Sequence, residues 1–210
     1  MVREGLTEIV CIIDKSGSME AVKEDAIGGF NSFLREQQEL PGEALFTLVL
    51  FDTEYTIVTD GRPVKEVKSL NGKTYTPGGM TALLDAVGIT LDMVSRRIED
   101  TPSSGKPEKV IVAVITDGLE NSSVEYTPIQ IFEKIRHKQQ VDGWEFVYLG
   151  ANQDAIKEAT ALGIKGLHAM NFTPSADGVK ESYLCMSEAV KSYRQKGAVE
   201  ENWKRKGKTH

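Results

Sequence analysis

An aspartate and two serines, Asp14, Ser16 and Ser18, stand at alternate positions directly after the apolar run Ile9-Val10-Cys11-Ile12-Ile13. Gly17, between the serines, permits a sharp turn there. In such a turn the carboxylate and both hydroxyls can face one point. On a straight strand they would line one face, too far apart to share a small ion. An all-oxygen donor set suits a hard divalent cation: Mg²⁺, with Mn²⁺ or Ca²⁺ as alternatives. Asp and Ser also cap helix N-termini and close turns, because their oxygens accept orphan backbone N–H groups. Taken alone, the triplet stays open to that structural reading.

Other oxygen donors lie far away along the chain. Asp117-Gly118 follows the apolar stretch Val110–Ile115, and Thr81 ends the turn-rich segment Thr76-Pro77-Gly78-Gly79-Met80. Each has a structural explanation of its own, as a turn or a helix cap. Asp52 also ends an apolar run and reads as a structural residue near the site. What brings distant positions together is the order of elements. Strands are expected at 6–13, 45–51, 55–59, 109–116, 144–149 and 166–171. Helices are expected at 19–40, 82–98, 128–140, 154–162 and 175–196, from apolar residues recurring at three- and four-residue steps. A single helical turn is expected around Val64, Val67 and Leu70.

Strands alternating with helices imply an α/β fold: a Rossmann-like, doubly wound, mostly parallel sheet with helices on both faces. The short link Asp52-Thr53-Glu54 makes the third strand an antiparallel edge. Such sheets bind ligands at the carboxyl ends of their strands, where the strand order reverses. Asp14 and Asp117 both end strands there if strands 6–13 and 109–116 are neighbours, and the loop before Thr81 leads to the same edge. Two carboxylates ~6 Å apart repel by ~3 kcal/mol at an effective dielectric of ~20. A divalent cation between them reverses that repulsion.

Composition restricts the alternatives. The 210 residues are 40% apolar and 27% charged, ordinary for one domain with a real core. The net charge of −6 argues against a domain body that binds nucleic acid or anionic membranes. The start lacks the apolar core of a signal peptide, and no apolar run approaches the ~20 residues that span a bilayer, so a cytoplasmic location is expected. Cys11 and Cys185 lack metal-type spacing and should be reduced and buried, and the histidines are scattered. Residues 1–196 read as one domain and 197–210 as a solvated, polar, basic tail.

The chain resembles a von Willebrand factor type A (VWA) domain with a metal-ion-dependent adhesion site. The first family motif, Asp-x-Ser-x-Ser, matches Asp14, Ser16 and Ser18. The threonine motif matches Gly78-Gly79-Met80-Thr81-Ala82-Leu83 followed by Asp85-Ala86, and the last matches Ile115-Thr116-Asp117-Gly118. The resemblance implies a metal set of Asp14, Ser16, Ser18, Thr81 and Asp117, with hydroxyls as neutral ligands and aspartates supplying charge. It further implies an unfinished coordination shell that a partner's Asp or Glu completes. The function implied is protein–protein interaction rather than catalysis. Extracellular relatives carry signal peptides and neighbouring domains, so the chain looks more like stand-alone intracellular members from microbes and their viruses. Some of those work with ATPase chaperones or in stress-response complexes.

Two other functions compete. A metal-dependent phosphatase with an aspartate nucleophile wants Asp-x-Asp after the first strand, and here the second position is Ser16, too weak an acid for that role. Phosphate-binding loops of the Walker type, Gly-x-Gly-x-x-Gly and Gly-x-Ser-x-Gly are absent. A structural subunit whose metal site has lost its purpose is the second rival, and the intact donor set speaks against it.

Overall fold

The computed structural model of the protein describes residues 3–151 and 154–204. Among these residues six strands form one sheet: β1 (Arg3–Asp14), β2 (Ala44–Phe51), β3 (Tyr55–Pro63), β4 (Pro107–Thr116), β5 (Glu145–Gly150) and β6 (Ala169–Asn171). Their spatial order is β3-β2-β1-β4-β5-β6. All neighbours are parallel except β3, which pairs antiparallel with β2 at the edge. The strand order reverses between β1 and β4, where Ile13 is in register with Ile115. Asp14 and Asp117 therefore leave adjacent strands at the reversal point.

Among the described residues five helices cover the sheet: α1 (Lys23–Glu39), α2 (Leu83–Asp100), α3 (Pro128–Gln140), α4 (Ala155–Ala161) and α5 (Ala176–Lys196). Side chains alternate across a strand, so each central strand feeds two cores. Ile9, Cys11 and Ile13 of β1 pack with α1 and α5, whereas Val10 and Ile12 pack with α2, α3 and α4. Apolar demand on both faces explains why the central strands read as unbroken hydrophobic runs. Cys11 and Cys185 are both buried, as expected.

Several boundaries differ from the expected ones for local reasons. The helix expected from residue 19 begins as a 3-10 turn, Gly17–Val22, in which the Met19 N–H bonds the Ser16 carbonyl at 3.0 Å. Tighter winding keeps Ser16 and Ser18 beside each other. The turn around Val64 is also 3-10, spanning Val64–Glu66, and Val64, Val67 and Leu70 all enter the α1-side core. The expected strand 166–171 is half 3-10 turn, Gly166–His168, and only Ala169–Asn171 pairs with β5. The solvated-tail reading is corrected for residues 197–204. Gly197, at φ +74°, ends α5 with a left-handed residue, and the chain turns back. Val199 and Trp203 are buried in the α1/α5 core, and the Trp203 indole N–H donates to the Leu167 carbonyl. Aromatic burial outweighs the polar composition there. The basic residues Arg205, Lys206 and Lys208 lie outside the described residues.

Candidate metal centre

Asp14 closes β1 and is fully buried. Its Oδ1 accepts the Ser16 N–H at 2.6 Å and its Oδ2 accepts the Thr116 hydroxyl at 2.5 Å. The Thr116 hydroxyl in turn accepts the Gly118 N–H at 3.2 Å, so the ends of β1 and β4 are tied through one side chain. The Asp14 carbonyl accepts the Tyr75 hydroxyl at 2.6 Å.

The remaining expected donors lie along a connected path. The Ser16 and Ser18 hydroxyls are 3.2 Å apart, and the Ser18 hydroxyl donates to Asp117 Oδ1 at 2.7 Å. Thr81 reaches the same place from the third segment. A Cβ built on Gly118 would lie 2.6 Å from Thr81 Oγ1, so only glycine allows the threonine hydroxyl that close to the 117–118 backbone. All five sequence-predicted residues therefore meet at the carboxyl end of β1 and β4. Asp14, Ser16 and Thr81 are buried, Asp117 is half-buried and Ser18 is exposed. The cluster opens to solvent on the Ser18 side.

Backbone bonds hold the three segments together. The Gly17 N–H bonds the Gly79 carbonyl at 3.2 Å, and the Gly78 N–H bonds the Lys15 carbonyl at 2.9 Å. Thr81 exchanges two bonds with Asn121: its N–H donates to Asn121 Oδ1 at 2.9 Å, and its carbonyl accepts the Asn121 N–H at 3.1 Å. The Met80 N–H donates to the Thr53 hydroxyl at 2.8 Å. Lys15 is turned away from the cluster and forms a buried ion pair with Asp52. Asp52 also accepts the Ala82 N–H on its carbonyl at 3.0 Å, so its expected structural role near the site is what the structure shows.

The electrostatics are those of a site short of positive charge. Burial pushes the Asp14 carboxyl above its ordinary range, the bonds from Thr116 and Ser16 oppose the shift, and the Asp117 charge adds to it. Burial also pushes Asp117 up, against the bond from Ser18. Neither carboxylate has a basic side chain within ion-pair distance among the described residues. A dication would oppose both shifts by favouring the charged carboxylates. Among the described residues, no group of three or more His, Cys, Asp or Glu could hold a metal. The cluster is different in kind, two carboxylates and three hydroxyls. That is the donor chemistry of a small hard cation, and these residues fit one.

Thr116, Tyr75, Asn121 and Thr53 were not singled out from sequence. A hydroxyl residue directly after the apolar run of β4 was a usable signal for Thr116. The other three lie in loops whose partners are far away in sequence, and no local pattern marks them.

No family model and no curated protein matches the chain. Solved structures do. The proximal thread matrix protein 1 from the mussel byssus superposes with a TM-score of 0.61 at 16% identity, over 87% of this chain and 46% of its own. A von Willebrand factor type A structure from Catenulispora acidiphila gives 0.57 at 18% identity, over 87% and 42%. The ArnB paralog VWA2 from Sulfolobus acidocaldarius gives 0.56 at 20% identity, over 90% and 46%. The chain thus spans less than half the length of each. At these identities the likeness concerns the fold, and the six-stranded sheet with its antiparallel edge and flanking helices agrees with it. The chain has the fold of a von Willebrand factor type A domain.

Proposed function

We propose that the protein is a divalent-cation-dependent interaction module. In this reading Asp14, Ser16, Ser18, Thr81 and Asp117 hold a Mg²⁺ ion, with Mn²⁺ or Ca²⁺ as alternatives, and an Asp or Glu of a partner protein binds to it. The carrying observation is the unbroken path Asp14–Ser16–Ser18–Asp117, with Thr81 against Gly118, on the solvent side of the strand reversal. The bound ion supplies positive charge that attracts a carboxylate. The chain's own residues do the rest. Thr116 and the Ser16 N–H hold Asp14 as an oriented anion. Three of the five ligands are neutral hydroxyls, so few direct charges offset the ion and it stays electrophilic toward an incoming carboxylate.

The module is placed in the cytoplasm, a reading that buried thiols at Cys11 and Cys185 fit. Among the described residues no helix is long and apolar enough to cross a membrane. An ATPase chaperone or a stress-response complex is a suitable class of partner.

Thermal unfolding with Mg²⁺ and with chelator tests the metal. An ion held only by the folded state at ~100 times its dissociation constant adds about 2.7 kcal/mol. The double variant Ser16→Ala, Asp117→Ala should lose that gain. An equal response to Mg²⁺ in both proteins sinks the proposal. Mg²⁺-dependent phosphatase turnover abolished by Asp14→Asn would instead favour an enzyme.

A further inference from the structure

Three apolar side chains on the two segments that carry Thr81 and Asp117 face solvent. Met80 is 52% exposed, Leu119 60% and Val124 91%. Met80 directly precedes Thr81, and Leu119 directly follows Gly118, whose backbone lies against the Thr81 hydroxyl. Both therefore project from the adjoining segments that carry Thr81 and Asp117. Isolated exposed apolar residues need no explanation, but several on the rim of one site do.

The backbone that presents them is held in place. Asp85, in the first turn of α2, accepts the N–H groups of Val124, Glu125 and Tyr126 at 2.8, 2.9 and 2.8 Å. Glu120 accepts the N–H groups of Ser122, Ser123 and Leu84 at 2.9, 2.8 and 2.9 Å. Asn121 is bonded to Thr81 in both directions. Segment 119–126 lacks helix or strand, yet two carboxylates bind it to the start of α2. Apolar groups on a pre-ordered loop lose little freedom when a partner covers them.

Charge narrows the partner further. Glu20 on the 3-10 turn after β1, Glu54 on the β2–β3 turn and Glu125 on the segment after β4 are exposed at this same sheet edge. The Lys15 ammonium is taken up by Asp52 and does not offset them. These exposed carboxylates repel a run of acidic residues, although the centre calls for a single one.

We infer that the partner presents a single Asp or Glu set among apolar side chains, with basic residues further out. The acid faces the ion, the apolar neighbours cover Met80, Leu119 and Val124, and the basic residues meet Glu20, Glu54 and Glu125. This inference rests on the cation-dependent reading of the same site, and it excludes a polyacidic tract as the occupant.

The test is selection from a displayed peptide library with a fixed central glutamate and random flanks. The full chain serves as bait in Mg²⁺ and in chelator, and a polyglutamate peptide serves as the acidic probe. The expected result is Mg²⁺-dependent enrichment of apolar residues beside the glutamate and of Lys or Arg beyond them. The variant Met80→Ser, Leu119→Ser should bind selected peptides ~10-fold or more weakly while keeping its thermal response to Mg²⁺. Mg²⁺-dependent binding without apolar preference, or tighter binding of polyglutamate, overturns the inference and leaves the metal reading standing. Mg²⁺-dependent self-association that masks peptide binding also overturns it. A thermal response to Mg²⁺ that is missing from the unaltered chain removes both.

Discussion

Thr116 carries the most informative single test. Its hydroxyl donates to the buried Oδ2 of Asp14 at 2.5 Å and receives the Gly118 N–H at 3.2 Å. Thr116→Val keeps the shape and removes the hydroxyl. Two groups then lose a partner, a fully buried carboxylate oxygen and a backbone N–H. A hydrogen bond to a charged group is worth about 1.5–3 kcal/mol. For a chain of this size about 1 kcal/mol moves the melting point by ~2–4 °C, so a fall of ~3–12 °C in chelator is expected. The loss also pushes the Asp14 carboxyl further in the direction in which burial already drives it, so protons compete more strongly with the cation. That proton competition lowers the apparent Mg²⁺ affinity by at most ~10–100-fold, the equivalent of about 1.5–3 kcal/mol. Calorimetric titration of Mg²⁺ at two pH values reads this, and the deficit should shrink at the higher pH. Thr116→Ser, which restores the hydroxyl, should recover most of the affinity. If the valine variant melts within about 1 °C of the parent and binds Mg²⁺ equally well, Thr116 does not support Asp14 and the reasoning is wrong.

Gly118→Ala should weaken the thermal response to Mg²⁺ sharply, because the new Cβ would lie 2.6 Å from Thr81 Oγ1, and an unaltered response would show that Thr81 takes no part. Glu8, on β1 at the opposite end of the sheet, is buried, and burial pushes its carboxyl above the ordinary 4.5 despite Arg97 at 2.8 Å. A raised folded-state pKa gives stability that is complete below the unfolded value and is lost as pH rises through the folded one. Glu8→Gln should therefore gain on the parent as pH rises across that range in urea unfolding, and a difference independent of pH contradicts the assignment. Trp203→Ala removes a core side chain that is 2% exposed and should cost about 3–5 kcal/mol, whereas a cost below about 1 kcal/mol would mean that the segment after α5 does not belong to the core.

Much of the architecture was legible because its causes are local. Unbroken apolar runs at 9–13 and 110–115 read as strands covered on both faces, and Pro128 suits the first turn of α3. The donor types at 14, 16, 18, 81 and 117 could be read for the same reason: a carboxylate or hydroxyl carries its chemistry in its identity. The 3-10 winding at Gly17–Val22 was missed, because a helical stripe at 19–33 looks alike in either form until the contacts of Ser16 and Ser18 are known. The burial of Trp203 was missed because a polar composition around it says nothing about which groove the chain turns back into.

The amino-acid order by itself determined which oxygens were available and that they would leave parallel strands at one edge of a sheet. Tertiary structure decided which of them touch. Ser18 reaches Asp117 across 99 positions, and Thr116 reaches Asp14 across 102. Contacts of that span depend on strand order, register and the room left by one missing Cβ at Gly118. Those quantities are set by how two cores pack against a common sheet, and no window of sequence contains them.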